Sequence, residues 1–341
     1  MSDFFTDDPV SATLFLPFEQ GQIDWPDTPA LFLRARPSPA LREVDPARLI
    51  CDQSFKPDVD GLQKAGYSLR PEGDARLYPL TLVLPPRQRD EARALLAQAV
   101  GATQKGGLIM AAAANTEGAK TLEGDLKQLC GTVHSASKHK CRVMWAVIGD
   151  DTDQALTADW AGLDRLRPVL DGRFLSRPGL FAWDRLDAGS QALLAQLPPL
   201  KGTGADLGAG FGYLTHAALG LNADITRIDM YEAEQRALEA ATHNLAPFGA
   251  RSRSLWQDVT KGLNDTYDFI LSNPPFHTSR ADNHGLGQGF IRTAARHLKT
   301  GGSFYMVANR HLPYEATLKE AFKTVTLLAE DGAYKVYRGI K

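Results

Sequence analysis

The sequence predicts an α/β protein of two tandem Rossmann-like domains, residues 1–170 and 171–341. Three observations carry this. Apolar strands alternate with helical stretches through the second half, a glycine-rich turn follows one of those strands, and the first half holds a fainter copy of the pattern. Such alternation gives a mostly parallel sheet with helices on both faces. In order, "GADLGAG" closes a short strand, "LTHAALGL" is helical, and "ITRIDMYE" is a strand. "AEQRALEAATHNL" has apolar residues at helical spacing, "YDFILS" is a strand, "GFIRTAARHL" a helix, and "GGSFYMVAN" a turn into a strand. After the helix "YEATLKEAF", the strands "TVTLLAE" and "AYKVYRGI" flank Asp331-Gly332, a hairpin signal that implies one antiparallel strand.

The copy lies upstream. "YPLTLVLPPR" (Tyr78 to Arg87) aligns with "YDFILSNPPF" (Tyr267 to Phe276), setting Pro85-Pro86 against Pro274-Pro275. Beyond both, a helix, a Gly-Gly turn, an apolar strand, an Asn and another helix recur in one order, which argues for internal duplication. The copies differ where chemistry would lie: Leu84 replaces Asn273, Arg87 replaces Phe276, and the first half has no glycine loop like that near Gly208. The first domain is expected to have kept the fold and lost the site, with the boundary near "LRPVLDGRFLSRPG".

Composition sets the frame. The chain has 341 residues, 43% hydrophobic and 23% charged, as soluble globular proteins have. A net charge of -2 leaves nucleic-acid binding to local basic patches. Cys51, Cys130 and Cys141 are far apart and show no metal spacing, so reduced thiols and no metal are expected. Asp3, Asp7 and Asp8 stand where a signal peptide would be positive, and no apolar run approaches the ~20 residues of a membrane span. The expectation is a cytoplasmic protein, no membrane partner, and a monomer as the favoured state.

"ADLGAGFGYLTHAAL" places Gly208, Gly210 and Gly212 between a strand end and a helix, where a backbone free of Cβ atoms turns tightly and approaches a ligand. The spacing is G-x-G-x-G, with Tyr213 where a dinucleotide site has its third glycine, which argues against a nicotinamide enzyme. Asp206 at the strand's end suits a charged amino-acid group of a ligand. The next strand ends in Asp229 or Glu232, either of which can accept from both hydroxyls of a ribose. Helix register favours Glu232, with Ala237, Ala241 and Asn244 following on one path, and Asp229 is the alternative. Asp258, past a third strand, is either a helix N-cap or an acceptor for an adenine amine.

With "DLGAGFG", the ribose acid, Asp258 and "NPPF" in that order, the chain resembles the class I S-adenosylmethionine-dependent methyltransferases. More closely, it resembles the small-subunit ribosomal RNA guanine-N2 methyltransferases, through "RPGLFAWDRLDAGSQALL", "SNPPFHT", "VANRHLPYEATL" and "YKVYRGI" across residues 170–341. In that family the second strand usually ends in Asp, where this chain has "IDMYE". The resemblance implies a degenerate methyltransferase-like first domain that supplies an RNA-binding scaffold, S-adenosyl-L-methionine as cofactor, and ribosomal RNA or a ribosomal subunit as partner. It adds Phe181 and Asp187 to the cofactor contacts Asp206, Gly208, Gly210, Gly212, Glu232 and Asp258.

The resemblance implies methylation of the exocyclic N2 amine of a guanine in 16S ribosomal RNA. The amine's lone pair is delocalised into the ring, so a site must hold both amino hydrogens and aim the lone pair. The Asn273 side-chain oxygen and the Pro274 carbonyl are two such acceptors, the prolines stiffen the loop, and the Phe276 ring offers a stacking face. Lys138, Lys140 and Arg142 in "HSASKHKCR", with Arg280, Arg310 and His311 at the strand-end loops, are candidate RNA contacts. The alternatives are a guanine of large-subunit RNA, a protein glutamine amide (whose enzymes usually carry Tyr at the position of Phe276), and a non-catalytic RNA-binding module.

Overall fold

The computed structural model describes residues 8–275 and 283–341. The chain divides into two compact units, Met1–Arg165 and Leu166–Lys341. In the first unit the strands are β1 (Ala30–Leu33), β2 (Leu49–Asp52), β3 (Ser68–Leu69), β4 (Tyr78–Val83), β5 (Thr103–Ala114), β6 (His134–Lys138) and β7 (Cys141–Val147). Its helices are α1 (Pro9–Leu14), α2 (Leu16–Glu19), α3 (Lys56–Lys64), α4 (Arg89–Ala102), α5 (Ala119–Cys130) and α6 (Gln154–Ala161). The second unit opens with a small hairpin, β8 (Arg167–Val169) and β9 (Phe174–Ser176), and α7 (Ala188–Leu194). Its strands are β10 (Gly202–Leu207), β11 (Ile225–Glu232), β12 (Ser252–Trp256), β13 (Tyr267–Ser272), β14 (Leu298–Asn309), β15 (Thr324–Glu330) and β16 (Tyr334–Ile340). The intervening helices are α8 (Tyr213–Leu221), α9 (Gln235–Leu245), α10 (Asn283–His297) and α11 (Glu315–Ala321).

The two sheets share one topology. The first runs β3-β2-β1-β4-β5-β7-β6 and the second β12-β11-β10-β13-β14-β16-β15. In both, the strands are parallel except the one inserted from the terminal hairpin, β7 against β5 and β16 against β14. The period-2 apolar pattern buries alternate residues of each central strand on opposite faces. Ile270, Phe304 and Met306 pack with Phe290, Ile291 and Leu318 on one side of the second sheet. Phe269, Leu271, Tyr305 and Val307 pack with Leu193, Leu214 and Leu245 on the other. The second unit begins at Leu166 rather than at residue 171. Leu166 and Leu170 pack on the cluster of Val169, Phe174, Phe211 and Ala240, and the Leu175 backbone is hydrogen-bonded by Asn244, so the hairpin belongs to the second unit.

Register makes the copies comparable residue by residue. Leu33 pairs with Val83 in the first sheet and Leu207 with Ser272 in the second, so Arg34 stands where Gly208 does and Leu84 where Asn273 does. Both positions keep left-handed backbone, φ 56° at Arg34 and 74° at Gly208. A non-glycine residue there costs about 1–2 kcal/mol. The Arg34 side chain crosses the strand ends and donates to the Leu84 carbonyl (3.4 Å), beside Glu91 at 3.9 Å. The first unit has thus kept the turn and laid a side chain across its mouth.

The fold also settles the position of Asp229. It is fully buried in β11, accepting from Arg227 (2.8 and 3.3 Å), Arg253 (3.0 and 2.5 Å) and the Tyr267 hydroxyl (2.8 Å). The Tyr267 hydroxyl also meets that of Tyr231 at 2.7 Å. Removing the carboxylate would leave the Tyr267 hydroxyl only its Tyr231 partner and the two half-exposed guanidinium groups only Asp265. Asp229→Ala is expected to lower unfolding free energy by about 2–3 kcal/mol; a loss under about 0.5 kcal/mol in urea titrations would mean that Asp265 alone holds the arginines.

Candidate active site

Open parallel sheets bind ligands beyond the carboxyl ends of their strands, where the winding reverses. In the second unit that point lies between β10 and β13, which are adjacent and parallel. The glycine turn follows one strand and Asn273-Pro274-Pro275 follows the other. The Gly208 and Ala209 N–H groups donate to the Tyr231 carbonyl at 2.9 and 3.2 Å, tying the turn to β11. A Cβ at Gly208 would lie 3.4 Å from the Phe290 ring and 3.9 Å from the Asn273 carbonyl oxygen, whereas one at Gly210 would meet open space. Gly212 differs from both: a Cβ there would sit 2.5 Å from Leu245, so its bareness lets α8 and α9 approach.

Two carboxylates border this turn. Asp206 is fully buried; its Oδ2 accepts from the Thr215 hydroxyl at 2.8 Å, and its Oδ1 has no hydrogen-bond partner. Burial pushes its carboxyl up from 3.8 to about 7, the Thr215 hydrogen bond opposing and the Glu232 charge adding. Glu232, half-buried at the end of β11, accepts from the Gly210 N–H (2.8 Å) and the Glu234 N–H (2.9 Å). Burial raises its pKa too, against those two hydrogen bonds. Of the two acids on β11, Glu232 therefore faces the glycine turn and Asp229 is enclosed by arginines. Asp258 caps the short helix Val259–Lys261, its Oδ1 accepting from the Thr260 N–H (2.9 Å) and hydroxyl (2.7 Å).

Asn273 is held from one side only. Its Nδ2 donates to Asp187 Oδ2 at 2.7 Å and to Ser190 Oγ at 2.8 Å, while its Oδ1 is buried and accepts from nothing. An orphaned buried acceptor costs about 1–3 kcal/mol. Asp187 is the N-cap of α7, accepting from the Ser190 N–H at 2.8 Å, and is placed against Asn273 rather than at the glycine turn. Pro274 is buried, while Pro275 and Phe181 are exposed.

Phe276 and Arg280 lie outside the described residues. Of the basic candidates in the first unit, Arg142 pairs with Glu123 and Lys138 with Glu19 (3.8 Å), while Lys140 sits exposed at the tip of the β6–β7 hairpin. In the second unit Arg310 pairs with Glu330 at 3.0 Å and His311 is exposed. Ser190, Thr215 and Phe290 escaped the sequence reading. Only Ser190 left a trace, as the third residue after a capping Asp. Among the described residues no group of His, Cys, Asp and Glu is gathered as a metal set, and no helix is long and apolar enough to cross a membrane. All three cysteines are free and buried.

The doubly wound sheet, the glycine turn at its switch point and the Asn-Pro-Pro loop beside it define a class I methyltransferase. Residues 171–338 match the family model "Methyltransferase small domain". The chain is 32% identical over 240 residues to the ribosomal RNA small subunit methyltransferase C of Shewanella pealeana, covering 69% of each. It is 31% identical over 257 residues to the Salmonella choleraesuis protein of the same name, covering 75% of this chain and 73% of that one. A solved T. thermophilus 16S rRNA N2 G1207 methyltransferase (RsmC), in complex with AdoMet and guanosine, shares the fold, with TM-score 0.81 and 24% identity over 98% of this chain and 92% of that chain. The chain belongs to the ribosomal RNA small subunit methyltransferase C family.

Asp206 yields a pH prediction. Its folded pKa of about 7 exceeds the ordinary 3.8, so between those values the fold holds a proton that the unfolded chain has released. Its contribution to stability must therefore fall as pH rises through that window. In melting curves from pH 4 to 8, Asp206→Asn is expected to gain on the wild type as pH rises; a constant difference would show Asp206 ionised throughout.

Proposed function

We propose that this chain transfers a methyl group from S-adenosylmethionine to the exocyclic N2 amine of a guanine in 16S ribosomal RNA. The observation that carries this reading is the Asn273 amide oxygen, buried, unpartnered and fixed at the switch point by two acceptors on its nitrogen. Membership in a ribosomal RNA methyltransferase family supports the substrate class, and the likeness to a protein solved with AdoMet and guanosine supports the base.

The residues present fit the cofactor. S-adenosylmethionine carries a sulfonium and an ammonium, and the crevice is bordered by Asp206 with a free oxygen, Glu232 and Asp258. Open space at Gly210 leaves room for the ligand against the backbone. Glu232 is suited to the ribose hydroxyls and Asp258 to the adenine amine. Bound there, the cofactor supplies an electrophilic methyl and a neutral leaving group.

The protein's part is positioning. Asn273 Oδ1 and the Pro274 carbonyl accept the two amine hydrogens, so the nitrogen lone pair points at the methyl. The amine proton becomes acidic once the new C–N bond forms, so no strong base is required. Phe276 offers a face to the base. A paired guanine must first leave its stack, which costs a few kcal/mol, and we assign the first unit to RNA binding through Lys138, Lys140 and Arg142, with Arg310 and His311 of the second unit as further contacts. Two acceptors would serve a glutamine amide equally; the family membership favours RNA.

With labelled cofactor and small ribosomal subunits or their RNA, the wild type is expected to label guanine N2, located by mass mapping. Asn273→Ala should leave cofactor affinity within about twofold and lower turnover by about 100-fold or more. Label on adenine, or equal loss of cofactor binding and turnover, would overturn the reading.

A further inference from the structure

Asn273 can serve as an acceptor only if its amide points one way. A half-turn about the last side-chain bond exchanges oxygen for NH2, which would confront the target amine with a second donor. We infer that Asp187 and Ser190 are positioning residues that hold this amide with its oxygen toward the substrate. The inference rests on the reading above, that Asn273 grips an amine.

The geometry explains why these two residue types are used. Asp187 Oδ2 receives both the Ser190 N–H (2.8 Å) and Asn273 Nδ2 (2.7 Å), and Ser190 Oγ receives the same Nδ2 at 2.8 Å. An ionised carboxylate has no proton to give, so only the nitrogen end of the amide can face it. The carboxylate is anchored in turn as the cap of α7, which packs on β14 and β16, so the amide is referred to the sheet itself. Gly189 allows the close fit: a Cβ there would lie 3.1 Å from both Asp187 Oδ2 and the Tyr334 ring.

The first unit supplies an internal control. Its α1 packs on β5 and β7, the counterparts of β14 and β16, and its cap repeats the spacing, Asp8 and Ser11 for Asp187 and Ser190. There the amide position is Leu84, with nothing to donate. The Ser11 hydroxyl turns instead onto Asp8 Oδ2 (2.7 Å), and Arg36 approaches the same carboxylate at 3.4 Å. The Asp-x-x-Ser cap is thus common to both copies, and only where an Asn faces it does it grip an amide.

The test uses the full-length protein with 16S RNA or small subunits as acceptor. In Asp187→Ser with Ser190→Ala, Ser caps α7 as well as Asp does but is too short to reach Asn273 as well. Turnover is expected to fall between about 10- and 100-fold, with cofactor Kd within twofold and the melting temperature nearly unchanged. Asp187→Asn, which keeps an acceptor oxygen in place, should recover most of the loss. Should the double variant not fold, Ser190→Ala alone leaves the cap intact and should still lower kcat without weakening cofactor binding. Wild-type turnover in the cap-preserving variants, or cofactor affinity falling in step with kcat, would overturn the inference; the second outcome would make Asp187 a cofactor ligand. A wild type that labels no guanine would instead refute the function on which the inference stands.

Discussion

The second unit depends on a constraint of winding. β10 and β13 are hydrogen-bonded neighbours, yet the chain leaves β10 toward β11 and β12 and returns to β13 from the other side. Two adjacent parallel strands whose connections depart in opposite directions leave a cleft between their carboxyl ends, and nothing in the sheet can fill it. The glycine turn and Asn-Pro-Pro are the two lips of that cleft.

The duplicate shows what the winding does and does not impose. The first sheet repeats the strand order and the left-handed turn after its central strand, so the cleft is present. Arg34 replaces the glycine and crosses to the Leu84 carbonyl, and Leu84 has no amide to offer. Fold and site separate cleanly: the topology survives on apolar periodicity, whereas the site needs a few residues that periodicity does not protect.

The second unit leaves polar groups unmet at its cleft. Asp206 Oδ1 and Asn273 Oδ1 are buried without partners, and the Asp206 and Glu232 carboxyls are pushed up by burial. Each is unfavourable in the protein alone, and a ligand bearing donors and positive charge would relieve it. Asp229, a few residues from Glu232, shows the contrast: with arginines and a tyrosine hydroxyl around it, every need of the carboxylate is met from within.

From the sequence alone came the alternating elements, the duplication, the antiparallel insertion at the end, the glycine turn and the Asn-Pro-Pro loop, because apolar period, glycine turns and diproline loops act over a few positions. Which acid of "IDMYE" faces the cleft was left open, since the answer lies in Arg253 on the neighbouring strand and the Gly210 N–H on the turn. The unit boundary moved for a like reason, the hairpin's partners being downstream. Asp187 reads as a helix cap in sequence and is one, but its grip on Asn273 spans 86 positions, and only the folded sheet brings them together. Local chemistry is written in local sequence; the direction of an amide is decided by the groups that pack beside it.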